Sequence, residues 1–160
     1  MPRADGTFGL FPPFSDRAKP GGIAVTRAGW RFVNEGNSYH DFIQGLCSAT
    51  KDGDEVCAWL VTDHRALRAY GLGFVKPRPL PIGSHLESGY LLRGATLGEL
   101  ARKAGIDAQA FEAQVAAYNH NAKSGSDHDF GKGSTAYNRV YGETDRTANP
   151  YLDPVETAPY

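Results

Sequence analysis

Neither sign of charge dominates this chain: 17 Lys and Arg stand against 18 Asp and Glu, a formal net charge of -1. Without a basic excess there is no electrostatic footprint for nucleic acid, and no acidic run argues for a solvating tail. Long apolar runs are lacking too. No stretch approaches the ~20 apolar residues of a membrane helix, so no span is expected. The opening Met1-Pro2-Arg3-Ala4-Asp5-Gly6 shows no apolar core of a secretion signal, and the cytoplasm is the expected compartment. Cysteines are scarce. Cys47 and Cys57 have no C-x-x-C spacing, which favours a reduced structural pair over a disulfide or a metal site.

Nucleotide and catalytic signatures are also missing. No G-x-G-x-x-G follows a strand, and no G-x-x-x-x-G-K-[ST], G-x-S-x-G or H-E-x-x-H occurs. Gly131-Lys132-Gly133-Ser134-Thr135 is glycine-rich but has neither the upstream glycine nor a preceding apolar strand, so it reads as a loop. His40, His64, His85, His120 and His128 are dispersed, and no metal is expected.

What is present is one domain's worth of chain, 160 residues with 19 Gly and 10 Pro, long enough for a real core and rich in turns. Residues 1–21 read as an extended segment leading into the domain and packing on something larger. Residues 22–25 and 30–33, joined by a turn with Gly29, predict a β-hairpin. Phe42, Ile43 and Leu46 predict a helix over 39–49, and 56–61 a buried strand. Asp63 is a cap for a short helix ended by Gly71, with His64 and Arg65 in its exposed first turn. Residues 71–89 read as irregular and 90–92 as strand-like. Thr96-Leu97-Gly98-Glu99 is a capping box. Gly105 ends that helix, and Asp107 caps another whose inner face is Phe111, Val115 and Tyr118, giving an αα-hairpin. The tail from residue 124 lacks pattern. The fold class is α+β, a small mixed domain with a β-hairpin, short strands and an αα-hairpin.

Three stretches carry a resemblance. Residues 19–35, KPGGIAVTRAGWRFVNE, are similar to the "I-x-V-N-x-x-G-x-R-F-x-N-E" stretch of the fumarate reductase/succinate dehydrogenase flavoprotein superfamily, closest to the branch of 3-ketosteroid dehydrogenases. Residues 96–107, TLGELARKAGID, resemble its "T-L-x-E-L-A-x-x-x-G-I-D", followed here by Tyr118-Asn119 and by residues 125–131, GSDHDFG. The end, Ala158-Pro159-Tyr160, is similar to the stretch before the chain re-enters the flavin domain. The resemblance implies that residues 22–160 are a cap domain that closes over substrate. It implies FAD in the intact protein, with the FAD-binding domain supplied by a missing segment or a separate chain and no flavin expected on this chain alone.

It also implies a site. Where fumarate reductases carry a proton-delivering arginine, this sequence has Tyr39, as ketosteroid dehydrogenases do. Arginine forks suit dicarboxylates; a phenol suits a small apolar ketone, exchanging a proton beside the carbon that exchanges hydride. Tyr39 is thus the candidate catalytic residue, and Ser38, His40 and Phe42 are candidate substrate contacts. Asn34 and Glu35 are candidate cofactor contacts at the flavin–cap junction, or else hold the hairpin through backbone hydrogen bonds. His40 and Asp41 orient the tyrosine or stay solvated. Tyr137, Tyr141, Tyr151 and Tyr160 line an apolar cleft or, for Tyr151 and Tyr160, pack against the flavin domain. The function implied is a substrate-capping fragment of an oxidoreductase acting on a carbon–carbon bond next to a ketone, inactive in isolation. The alternative is a non-catalytic remnant or interaction module, associating as a homodimer through the face that once met the flavin domain.

Overall fold

The computed structural model describes residues 9–140 and 149–160. Its elements are β1 (Gly22–Thr26), α1 (Tyr39–Ala49), β2 (Ala58–Thr62), α2 (His64–Tyr70), α3 (Gly83–Glu87), α4 (Leu97–Ala104) and α5 (Ala108–Ser124), with 3-10 turns at Asp16–Ala18 and Asn138–Val140. The α+β class of the sequence reading holds.

The helix boundaries follow local chemistry. The side chains of Ser38, Asp63, Thr96 and Asp107 each accept a hydrogen bond from a backbone N–H three residues on, capping α1, α2, α4 and α5. Glu99 reaches back to Ala95 N at 2.8 Å, reinforcing the start of α4. Gly105 ends α4 at φ 67° and Gly125 ends α5 at φ 78°, the left-handed turn that glycine makes without a Cβ clash. The two helices form the expected αα-hairpin. Phe111, Val115 and Tyr118 turn inward and are buried against Leu100, Ala101, Ile106, Val155 and the strand residues Ile23, Val25 and Val61.

The strands depart from expectation. β1 pairs antiparallel along its length with β2, from Gly22↔Thr62 to Thr26↔Ala58. The expected hairpin partner, residues 30–33, contributes one bridge, Val25↔Arg31. The turn itself forms: Gly29 N donates to Thr26 O, and Gly29 takes φ 84°. The second arm then leaves the sheet because Arg31 N donates instead to Gln114 Oε1 on α5, and its side chain runs inward to carboxylates. Residues 90–92 are not a strand, and α3 lies within the stretch read as irregular. The leading segment does not only face outward: Arg17 and Ala18 are buried within this chain. Among the described residues no helix is long and apolar enough to cross a membrane.

Candidate functional site

Beneath the candidate site lies a buried ion cluster. Arg31 donates from Nε and Nη2 to the two oxygens of Glu35, both at 2.8 Å, and from Nη1 and Nη2 to those of Asp127, both at 3.0 Å. All three side chains are buried. The Arg31 guanidinium also lies over the rings of Tyr118 and Phe130. Lys132, wholly buried, donates from Nζ to Gly22 O at 2.7 Å and sits 3.8 Å from Glu35. Glu35 Oε1 further accepts from Ala24 N at 3.0 Å. Burial works against every one of these charges. Arg31 outweighs it together with Lys132 and the Ala24 N–H at Glu35, and together with the Lys132 and Asp129 N–H groups at Asp127, holding both carboxyls below the usual range. For Arg31 the two carboxylates outweigh it and raise its pKa. For Lys132 burial wins over Glu35, bringing the amine down to about 8.

The cluster fastens residues 31–35 to the loop at 127–133, and an amide knot extends the fastening. Asn34 donates to Phe130 O and to Asn138 Oδ1, and Asn138 donates to Asn37 Oδ1. The chain thereby turns at 34–37 and enters α1, whose first residue is Tyr39. Tyr39 is partly buried. Its ring meets Phe14 edge-on at 4.7 Å, and the Arg17 guanidinium lies 5.0 Å over it.

Ser38 and Phe42 are partly buried beside Tyr39, and His40 and Asp41 are exposed. Ser38 is engaged in capping through Asp41 N, and Phe42 packs on Phe32 and Arg17. Asn34 and Glu35 lie inward from this group, their side chains committed to partners in the chain. Tyr151 is buried in this chain, so its ring is packed here and does not await another domain. Tyr160 packs partly against the core, Tyr137 is exposed, and Tyr141 lies outside the described residues. A separate apolar cavity of about 130 Å³, walled by Leu60, Leu67, Leu72, Ile82, Tyr90 and Leu100 among others, touches none of residues 34–42.

Sequence reasoning met Arg31, Asp127 and Lys132 within longer stretches and gave none of them a role. The signal present was Arg31 within an apolar stretch and Lys132 between two glycines; Asp127, between Ser126 and His128, carried no such local signal. Asp63 also exceeds its expected role. Besides capping α2 it accepts from Glu156 N and Thr157 N, tying the C-terminal stretch to the domain. Arg65 pairs with Asp153. Among the described residues no cluster of His, Cys, Asp and Glu could hold a metal.

This arrangement can present one phenol at a partly open edge on a braced turn, beside a buried arginine and an exposed phenylalanine. A family model described as "FAD binding domain" matches residues 2–160. The chain belongs to this FAD-binding family, and it is close to 3-ketosteroid dehydrogenase and fumarate reductase flavoproteins. It is 41% identical over 156 residues to 4-oxocyclohex-2-ene-1-carboxylate 5-dehydrogenase of Sinomonas cyclohexanicum, covering 98% of this chain and 26% of that protein. The fold is similar to 3-ketosteroid delta1-dehydrogenase from Sterolibacterium denitrificans in complex with 1,4-androstadiene-3,17-dione. That match has a TM-score of 0.80 and 30% identity, over 91% of this chain and 27% of that one. A solution structure of the fumarate reductase flavoprotein subunit from Lactobacillus plantarum matches with a TM-score of 0.59 and 26% identity, over 92% of this chain and 84% of that one. The chain thus spans about a quarter of the length of the curated relative. The matching family model is that of the FAD binding domain, not of the cap domain read from the sequence.

Proposed function

We propose that this chain is the substrate-capping part of an FAD-dependent oxidoreductase that introduces or saturates a carbon–carbon double bond beside a ring ketone, with Tyr39 exchanging the proton. The observation that carries the reading is the placement of Tyr39: a phenol at the start of a helix, partly open, on a turn braced by buried ion pairs. As the phenolate, the Tyr39 oxygen takes a proton from the carbon next to the ketone; as the phenol, it returns one. The hydride half of the reaction is the flavin's. A ring ketone is the substrate class because the two named relatives above act on, or are bound to, ring ketones.

The described residues do not form a seat for the FAD pyrophosphate. Such a seat is a strand, a glycine turn and a helix whose N–H groups are free. Here β1 runs into the turn at 26–29 and no helix follows at once. β2 runs into Asp63, whose carboxylate already takes Ala66 N at the start of α2. The flavin is therefore held elsewhere in the full protein. Leu10 and Phe14, both exposed, the latter against Tyr39, suit the face that meets it. The Lactobacillus plantarum chain, of similar extent and solved in solution, supports a segment that folds as a unit.

The test joins this chain to the rest of its flavoprotein and replaces Tyr39 by Phe. Turnover of a ring ketone should fall by about 10²-fold or more with flavin content unchanged. Unchanged turnover refutes the role of Tyr39. For this chain purified alone, no FAD should survive gel filtration, and a yellow, stoichiometric preparation would refute the capping assignment.

A further inference from the structure

Two stretches far apart in sequence converge on the short turn that leads into α1. The turn closes on itself: Asn37 N donates to Asn34 O at 3.0 Å, and Gly36 N to Asn34 Oδ1 at 2.9 Å. From the leading segment comes Arg17, 4% exposed. Its Nη1 donates to Glu35 O at 2.8 Å and to Asn37 O at 2.9 Å, and its guanidinium lies 5.0 Å over the Tyr39 ring and 4.9 Å over that of Phe42. From the tail comes Asn138, with no exposure. Its Nδ2 donates to Asn37 Oδ1 at 3.2 Å, while its Oδ1 accepts from Asn34 Nδ2 at 3.0 Å and Gly133 N at 2.9 Å. A Cβ at Gly36 would stand 3.0 Å from Asn138 Nδ2, so the contact is close.

We propose that Arg17 and Asn138 are positioning residues for Tyr39, clamping the turn at 34–38 from two distant parts of the chain and so setting the direction of the phenol. The inference rests on the proton-transfer reading of Tyr39. The physical need is specific. A residue at the first position of a helix has no preceding turn to hold its side chain. Its orientation must come from the entering backbone and from neighbours. Asn37, two residues upstream, is held on both sides: its carbonyl by Arg17, its side-chain amide by Asn138. The Arg17 guanidinium then supplies a flat cationic face on which the ring rests, an attraction that falls off if the ring turns away. An active-site group displaced by about 1 Å can lose about 10²-fold in rate, so a clamp of this kind is a rate determinant without touching substrate.

The test uses conservative variants. Arg17→Lys keeps the charge but loses the planar guanidinium whose Nη1 serves both carbonyls while its face lies over the Tyr39 ring. Asn138→Asp keeps the acceptor for Asn34 and Gly133 and places a second oxygen against Asn37 Oδ1. In this chain labelled with fluorotyrosine, with the Tyr39 signal identified by its loss in Tyr39→Phe, both variants should move that signal and leave those of Tyr118 and Tyr151 in place. In the flavin-containing protein, kcat should fall by about tenfold to 10²-fold, with KM within about twofold and flavin content intact. An unmoved Tyr39 signal overturns the proposal, as does a loss of kcat that tracks a lowered melting temperature or lost flavin. If Tyr39→Phe is fully active, the proton-transfer reading fails, and the fluorotyrosine spectrum alone then decides the clamp.

Discussion

Arg31 and Glu35, four residues apart on a stretch that is not helical, face each other through paired hydrogen bonds of 2.8 Å with both side chains wholly buried. Asp127 closes the other side of the guanidinium from 96 residues away. A buried cation between two carboxylates is stable only while each charge keeps its partners. Arg31→Met should therefore destabilise the chain by about 3–5 kcal/mol, since it strands Glu35 and Asp127. Urea unfolding followed by circular dichroism measures this. A loss under about 1 kcal/mol would mean that the carboxylates find other partners.

The same cluster sets the response to acid. Glu35 and Asp127 have folded pKa values below their unfolded ones. Their contribution to stability is present above the ordinary carboxylate range near pH 4 and is lost as pH falls through the lower folded values. Stability should drop steeply below about pH 4, and more gently in Asp127→Asn.

Lys132 acts in the opposite range. Its amine titrates near 8 when folded, while an unfolded lysine keeps its proton to about 10.4. Between those values the unfolded state binds the extra proton, so stability should rise with pH from about 8 towards about 10. Lys132→Met should flatten that slope. Chemical denaturation at stepped pH checks it, and a slope that survives in the variant assigns the effect to another group.

Gly29 is a steric prediction. It holds φ 84°, and a Cβ there would stand 2.6 Å from Phe111 N and 2.8 Å from Asp107 O. Gly29→Ala should cost more than about 1 kcal/mol, because both the backbone conformation and the contact with the start of α5 must give. A thermal melt of the variant reads this directly.

Asp63→Ala should cost more than an ordinary helix cap, above about 2 kcal/mol. It leaves Ala66 N, Glu156 N and Thr157 N without their acceptor. Asp63→Asn should recover much of the loss. Hydrogen exchange at Glu156 and Thr157 should quicken in the alanine variant.

Much of the fold was legible because the governing interactions are local. Asp63, Thr96 and Asp107 start helices through bonds to N–H groups three residues away, and Gly105 ends one through a conformation open to glycine. The inward face of Phe111, Val115 and Tyr118 follows from helical spacing. The candidate tyrosine was legible only through resemblance, since an aromatic at a helix start reads equally well as packing.

The sequence by itself determined the α+β class, the caps, the αα-hairpin and the family, all carried by residues within a few positions of one another or by ordered motifs. Tertiary structure alone decided which strand pairs with β1, where Arg31 points and what braces Tyr39. Those outcomes depend on charges and amides brought together across 96 residues between Arg31 and Asp127 and 101 between Asn37 and Asn138. Burial gives such contacts their strength, because a charge or amide removed from water must find its partner wherever the fold places one.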